Sequence, residues 1–217
     1  MAYCTLNGAP VVEATVCLPR SGAWHADLIV AKDAAPTGAV TLGLAEGRIQ
    51  LKGTVLRGGA PYLTALVRVV GGAGGLQRIL APRAYRQVPR GTVLRAALSE
   101  AGESLSPNAD QATLAEVLDH WVRRQAPAGE LLGALLASSG ASWRVHADGS
   151  VWVGPESWPP TKSADWVVLE QLPQLGKVVL STDTPALWPG EVLRGRKVEY
   201  VEHRVDAKRI RTEVLLA

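Results

Sequence analysis

Hydrophobic and polar residues alternate through much of the first ninety positions. Between residues 49 and 56, apolar Ile49, Leu51 and Val55 are separated by polar Gln50 and Lys52, as in a strand with one face in water. β-favouring residues bounded by turn-forming ones predict four more strands, over residues 11–16, 27–31, 40–44 and 66–70. Strands joined by such short connections indicate a small barrel or sandwich.

The hydrophobic period becomes helical beyond residue 92. Apolar residues at helical spacing predict a helix over residues 93–101, which Gly102 is placed to end in a left-handed conformation. Pro127 suits the first turn of another helix, whose face of four leucines between residues 131 and 136 ends before Gly140. These two helices have clear sequence boundaries.

A further helix is predicted between them, over residues 113–125, from apolar side chains at positions i, i+3, i+4, i+7 and i+8. Thr113 and Glu116 have the spacing of a capping box, in which each side chain accepts a hydrogen bond from a backbone amide of the first turn. Asp110 is an equally good N-cap.

A β-hairpin is predicted after the last helix, because the period changes from 3.6 to 2. The dipeptide Asp148-Gly149 is typical of a type I′ turn. That turn would put Val145 opposite Trp152, with Trp143 beside them. A lone hairpin is marginally stable in water, so we expect both indoles to pack in the core, on the leucine face of the preceding helix.

Strands dominate again after a proline-rich linker over residues 154–160. They are predicted over residues 166–169, 177–180, 192–193, 197–205 and 208–216, with a hairpin turn at residues 205–208. The fold class is therefore α+β and mainly β, with two small antiparallel β-barrels joined by a helical segment that carries the hairpin. The expected domains are residues 1–90, 91–155 and 156–217.

Composition is that of a soluble globular protein of 217 residues, with 47% hydrophobic and 20% charged residues. Without a run of about 18 apolar residues or a leader sequence, we expect no membrane span and synthesis in the cytoplasm. Cys4 and Cys17 are too few for a disulfide framework and are predicted to be buried free thiols. The net charge of +3 is weak evidence for nucleic-acid binding.

Reactive motifs are scarce in this sequence. The glycine-rich stretch 71–75 has Gln77 where a dinucleotide-binding loop needs its third glycine, so it is predicted to be a flexible connection, with a subunit contact as one location for it. None of the four histidines has metal-ligand spacing. The remaining catalytic candidates are the pairs Glu100 with Glu103, Glu199 with Glu202, and Cys17 with His25, and none forms a recognised signature. We expect no catalytic residue, cofactor or metal.

Positive charge is concentrated near the C-terminus. The candidate channel-facing or phosphate-facing residues are Arg194, Arg196, Lys197, Arg209 and Arg211. Interleaved acidic residues favour a solvated strand face with cross-strand pairs. A phosphate-tracking surface is the alternative.

The order and spacing of these segments resemble the baseplate hub proteins of tailed bacteriophages, whose relatives include the spike proteins of type VI secretion. The resemblance rests on residues 85–89, 92–102, 130–136 and 143–153, and on the ending formed by residues 189–193, 198–204 and 211–214.

The resemblance implies a homotrimer in which two barrels per subunit alternate around a pseudo-six-fold ring. Such a hub joins the tail tube to the spike or tail tip, contacts baseplate wedge proteins, and surrounds the channel through which DNA passes without specific binding. It has no catalytic residues. The implied location is the virion tail baseplate, assembled in the cytoplasm of the bacterial host.

Two other function classes remain open. A tail-tip cell-envelope hydrolase would need a carboxylate or cysteine site. A basic nucleic-acid-binding module would use the C-terminal arginines and lose affinity steeply as salt rises.

Overall fold

Strands make up most of the protein in the computed structural model, which describes residues 3–31, 35–60, 64–157, 167–181, 187–206 and 209–217. The first six strands are β1 Cys4–Leu6, β2 Ala9–Pro19, β3 His25–Val30, β4 Ala39–Leu44, β5 Ile49–Gly59 and β6 Ala65–Gly71. They pair in the order β1-β4-β5-β6-β3-β2, and β2 pairs back with β1. The predicted N-terminal strands therefore form a closed antiparallel barrel.

The barrel interior is filled by alternate residues of these strands, as their period of two requires. Leu42, Leu51 and Val69 are completely buried there. Trp24 closes one end of the barrel against two glycines. A Cβ atom at Gly53 would lie 2.8 Å from the Trp24 ring, and one at Gly71 would lie 2.6 Å from its Nε1 atom. Neither position can therefore accommodate a side chain.

The middle of the chain combines three helices with short strands. These elements are β7 Ile79–Leu80, β8 Arg83–Pro89, α1 Arg90–Ala101, α2 Gln111–Ala115, β9 Val117–Arg123, β10 Ala126–Pro127, α3 Ala128–Leu136, β11 Ala141–Val145 and β12 Val151–Pro155. Two predictions are confirmed here. Gly102 ends α1 in a left-handed conformation, with φ of 82°, and the leucine face of α3 is buried. None of the helices in the described ranges is long and apolar enough to cross a membrane.

The prediction of a helix over residues 113–125 is wrong. Only α2 is helical, and Asp110 is its N-cap, accepting a hydrogen bond of 2.7 Å from the Thr113 amide. The following residues form β9, which pairs with β8 in a two-stranded ribbon. Glu116 is not part of a capping box, because its carboxylate binds the guanidinium group of Arg90.

The predicted hairpin exists, but its register differs from the expected one. Trp152 lies opposite Arg144, and Val145 lies opposite Val151. The His146 carbonyl accepts a hydrogen bond from Gly149, whose φ is 84°, so the connection is one residue longer than a type I′ turn. The longer connection moves every later residue of β12 by one position and turns the Trp152 indole out of the core.

The two indoles consequently have different environments. Trp143 packs on α3, where a Cβ atom at Gly129 would lie 3.3 Å from its ring, as expected. The Trp152 indole instead donates a hydrogen bond of 3.1 Å to the Asn108 carbonyl. The residues before and after it on β12, Val151 and Val153, are fully buried.

The C-terminal strands continue the sheet of the barrel. They are β13 Val167–Leu172, β14 Lys177–Ser181, β15 Val192–Leu193, β16 Arg196–Val205 and β17 Ile210–Leu216. β16 pairs with β2, and the order runs on through β17 and β14 to β13. In the described residues this part is an open sheet, so a second closed barrel is not seen.

Parts of three predicted features lie outside the described residues. They are the end of the linker over residues 158–160, the strand start at Trp166, and the turn residues Ala207 and Lys208. The other predicted C-terminal strands are present in β14 to β17.

Candidate functional site

One outward-facing row of residues crosses six neighbouring strands of the continuous sheet. Directly paired positions on β5, β6, β3, β2, β16 and β17 carry, in that order, Arg57, Arg68, Asp27, Thr15, Arg204 and Arg211. Strands lie about 4.8 Å apart, so this row, called the arginine row below, is about 24 Å long. It holds four arginines and one carboxylate.

The arginine row lies along a groove of about 1000 Å³ between the barrel wall and the C-terminal strands, which Arg209 also lines. Two of the predicted residues, Arg209 and Arg211, are thus brought together. Arg194, Arg196 and Lys197 lie at the other end of β16, and at about 3.3 Å per residue Arg196 and Lys197 are about 25 Å from Arg204. The five predicted residues therefore form two separate groups.

Sequence reasoning missed Arg57 and Arg68, because they lie far from the C-terminal cluster in the chain. Only the pairing of β2 with β16 brings β5 and β6 onto the same face as Arg204. The alternation of apolar and polar residues did identify which side chains point outward. It did not identify which strands are neighbours.

A row of acidic residues lies beside the arginine row and is displaced from it by two residues along the strand direction. Arg204 binds Glu202 at 2.6 Å, and Arg211 lies 3.5 Å from Glu170. Glu213 joins the same network through Lys177, Arg204 and Arg211, and its pKa is lowered despite its partial burial, through the hydrogen bond from Lys177 and these positive charges. Cross-strand pairing, the favoured prediction for this face, is confirmed.

The barrel end of the arginine row is less balanced. Arg68 lies 3.3 Å from Asp27, and both side chains are largely exposed. Arg57 is exposed and makes no ion pair with any described carboxylate. The positive charge available to a ligand is therefore greatest on β5 and β6.

The glycine-rich stretch 71–75 binds a carboxylate of the protein itself. The Glu103 side chain is buried and accepts hydrogen bonds from the Ala73 amide at 2.9 Å and the Gly75 amide at 2.7 Å. These amides form the kind of nest that holds anions. Because Glu103 fills it, the loop is a connection and not a phosphate-binding loop, but it is held to the end of α1 and is not the flexible segment that was expected.

The other candidate catalytic groups are also held by structural contacts. Glu100 accepts a hydrogen bond of 2.6 Å from fully buried Arg123 and one of 3.1 Å from Arg83. Glu199 binds Arg20 at 2.7 Å. Both cysteines are free and buried, as predicted. Burial raises the pKa of Cys17 and raises that of Cys4 to about 12, so both thiols are protonated and poorly nucleophilic at neutral pH.

No group of three or more metal-ligating side chains is found within the described residues. His203 is fully buried, and desolvation lowers its pKa to about 4. Its Nδ1 atom lies 3.0 Å from the Thr212 hydroxyl. This histidine is therefore a neutral core residue.

The ribbon of β8 and β9 is anchored firmly at both ends. Arg90, completely buried, binds the Glu116 carboxylate, while Arg123 donates a hydrogen bond of 2.8 Å to the Ala81 carbonyl. Between these anchors, Val117 and Val122 are exposed to solvent. The ribbon thus presents apolar side chains on a rigid base.

A second exposed apolar set lies at the end of the continuous sheet. β13 is the last strand in the sheet order, and Val167 and Leu169 on it are more than half exposed. An exposed apolar edge strand is a site for pairing with another chain. The protein therefore has two separate surfaces suited to assembly.

Comparison with solved structures identifies the fold. The 43 kDa tail protein of prophage MuSo2 from Shewanella oneidensis superposes with a TM-score of 0.69 at 10% identity, over 99% of this chain and 96% of that one. A tail protein from Neisseria meningitidis MC58 gives 0.67 at 11% identity, over 99% and 95%.

This chain has a tail-protein fold. The c3393 protein of E. coli, a component of the type VI secretion system described as similar to the T4 bacteriophage tail proteins gp27 and gp5, gives a TM-score of 0.68 at 11% identity, over 99% and 76% of the two chains. No protein-family model matches the chain, and no curated protein matches it in sequence. The tail-protein fold covers the chain from the barrel to the last strand.

Proposed function

We propose that this chain is a non-enzymatic structural protein of a phage-type tail, in which it forms the hub ring of the baseplate. The observation that carries the proposal is the similarity of almost the whole chain to two tail proteins and a type VI secretion component. In this role it joins the tail tube to the spike or tail tip, contacts wedge proteins, and surrounds the DNA channel. It is assembled in the host cytoplasm and resides in the virion tail.

A ring of identical subunits needs two different surfaces on each chain, because each interface joins one surface of a subunit to a different surface of the next subunit. The exposed edge strand β13 and the exposed ribbon of β8 and β9 supply two such surfaces. We infer that β13 of one subunit meets the ribbon of the next in a homotrimer. In that ring the open C-terminal sheet gains the further strands that complete a second barrel-like unit.

This arrangement gives the three segments of the chain separate roles. Residues 1–90 form the first wall of the ring and contribute β8, and residues 156–217 form the second wall. Residues 91–155 contribute β9, which completes the ribbon that reaches the neighbouring subunit. The buried ion pairs at the base of the ribbon would keep it rigid where it contacts the neighbouring subunit. A loosely held ribbon would cost conformational entropy on assembly.

The mass of the protein in solution tests this proposal. Light scattering on the eluting protein should give about 69 kDa, three times the 23.0 kDa of one chain. Leu169→Arg and Val122→Arg should each reduce the mass to that of a monomer, because each puts a charge into an apolar interface. Leu56→Arg is the matched control, since Leu56 is exposed on another face. A monomeric parent chain would contradict the proposal.

The arginine row supports a further part of this function. We propose that Arg57, Arg68 and Arg204, together with the predicted residues Arg209 and Arg211, face the phosphates of DNA in the channel. Binding would be independent of sequence and would weaken as salt rises, because counterions are released. Arg194, Arg196 and Lys197 would face the channel at its other end.

Titration of the protein with a DNA duplex at several salt concentrations tests this assignment. Arg57→Gln should reduce the slope of log affinity against log salt by about 1, because no carboxylate among the described residues pairs with Arg57. Arg124→Gln, which removes an exposed charge from the ribbon side, should leave the slope unchanged. Equal slopes for the parent and Arg57→Gln would contradict the assignment.

A further inference from the structure

Charges on the outward face of the C-terminal strands are arranged in rows of like sign. Arg204 on β16 lies directly opposite Arg211 on β17. Two residues along the strands, Glu202 lies directly opposite Glu213. Glu170 on β13 continues this second row across β14. Glu170, Glu202 and Glu213 are called the acidic row below.

This arrangement is not the one that strand pairing favours. Like charges at directly opposite positions destabilise a sheet, whereas opposite charges there stabilise it. The protein compensates with contacts along one strand or on the diagonal. Arg204 binds Glu202 at 2.6 Å along β16, and Lys177 binds Glu213 at 2.5 Å across a diagonal. Strand stability alone therefore does not explain why the charges lie in rows.

The acidic row is close enough to weaken an interaction between the arginine row and a phosphate. Two residues of a strand span about 7 Å, which is less than the screening length of about 8 Å at physiological ionic strength. A phosphate about 4 Å from Arg204 or Arg211 would lie about twice as far from the acidic row, and Coulomb energy falls with the inverse of distance. Each carboxylate would therefore cancel about half of the attraction of one arginine.

The charges of the whole face are balanced. Five arginines line the groove together with the carboxylates of Glu13, Asp27 and Asp206, so the described lining has an excess of two positive charges. The three glutamates of the acidic row, with Lys177 beside them, reduce this excess to zero. Glu213 keeps its charge at neutral pH, because its pKa is lowered. The face thus offers positive charge in a line without a net positive charge.

We propose that the acidic row limits how tightly the arginine row holds DNA, so that DNA passes along the groove and is not retained there. The arginine row would attract the phosphates, and the acidic row would keep each contact weak. This inference rests on the proposed assignment of the arginine row to the DNA channel. It gives Glu170, Glu202 and Glu213 a role in releasing DNA, in addition to their ion pairs.

Fluorescence anisotropy with a labelled DNA duplex, at several salt concentrations, tests the acidic row. The double variant Glu202→Gln with Glu213→Gln should bind about tenfold more tightly than the parent at low salt. Its slope of log affinity against log salt should be steeper by about 2, because Arg204 and Arg211 become available to phosphates. Glutamine keeps the size of glutamate and an oxygen that accepts hydrogen bonds.

A single variant on the exposed end of the row gives an independent test. Glu170 is about half exposed and lies 3.5 Å from Arg211, so Glu170→Gln should steepen the slope by about 1. This variant decides the question if the double variant does not fold. Glu130→Gln is the matched control, because it also removes one negative charge but from an exposed pair with Arg124 outside the groove. Its affinity and slope should match those of the parent.

The outcomes separate this inference from the assignment on which it rests. If the glutamine variants of the acidic row bind like the parent, while Arg57→Gln still lowers the slope, the inference is wrong and the DNA assignment stands. An equal gain in Glu130→Gln would reduce the effect to net charge and would also overturn the inference. If neither the parent nor any of these variants binds DNA in a salt-dependent way, the DNA assignment itself is wrong.

Discussion

Acidification should destabilise this protein through one buried histidine. His203 lies on β16, facing the core, and its neighbours in the paired strands are Val16 on β2 and Thr212 on β17. Neither of these neighbours carries a charge. Desolvation therefore determines the pKa of His203, which falls from 6.5 to about 4 in the folded state.

The direction and size of the effect follow from proton binding. Between pH 6.5 and pH 4 the unfolded chain binds a proton at His203 and the folded protein does not, so the free energy of unfolding decreases as the pH falls. The full difference in pKa corresponds to about 3 kcal/mol, and about 2 kcal/mol of it should be lost between pH 7.5 and pH 5. The carboxylates with lowered pKa titrate mainly below this range.

Urea denaturation at pH 7.5 and pH 5 measures this loss. His203→Asn retains a hydrogen-bonding group for Thr212 but has no titrating ring, so most of the pH dependence should disappear. A smaller part should remain, because burial also lowers the pKa of His25 and of His146. His120→Asn is the control, since His120 is exposed on the ribbon. If the parent and His203→Asn lose the same stability, the reasoning is refuted.

Three further predictions concern the other buried polar groups. Glu103→Ala should lower the free energy of unfolding by about 2 kcal/mol, because the amides of Ala73 and Gly75 lose their acceptor. The same free energy of unfolding for the variant and the parent in urea denaturation would contradict this. Glu100→Ala should cost about 2 kcal/mol, because the buried Arg123 charge loses its carboxylate. Glu130→Ala, which removes an exposed pair, should change stability by less than about 0.5 kcal/mol. Cys17 should react with iodoacetamide at pH 8 much more slowly than free cysteine does, because burial raises its pKa, and an equal rate would contradict its placement in the core.

Local patterns predicted the parts of the fold in which one element determines its own structure. The barrel strands follow from alternation, and α1 and α3 from helical spacing with a glycine or proline at a boundary. The strand β9 could not be found in this way. Val117, Trp121 and Val122 fit a helical stripe as well as a strand, and the deciding contact is with β8, about thirty residues earlier in the chain.

Long-range pairing also decided the candidate site. The acidic and basic residues near the C-terminus predicted cross-strand ion pairs, which the structure contains. The arginine row required the pairing of β2 with β16, and no local pattern encodes that contact. The same pairing explains why the two strand-rich segments form one sheet, although the sequence suggested separate barrels.

Buried polar groups were the least predictable feature. Glu103 and Arg90 are ordinary charged residues in the sequence, and their roles depend on partners that folding brings together. Arg144 depends on folding in the same way, because strand pairing puts its guanidinium group over the Trp152 ring. A one-residue difference in the hairpin connection was enough to change its cross-strand neighbour from Val153 to Trp152.

Electron microscopy of tail particles tests the central claim most directly. The tagged chain should be recovered from its producing bacterium together with tail particles, and the images should show three copies in a ring at the end of the tail tube. Recovery of the chain only as free protein, with no copy on any tail-like particle, would contradict the account.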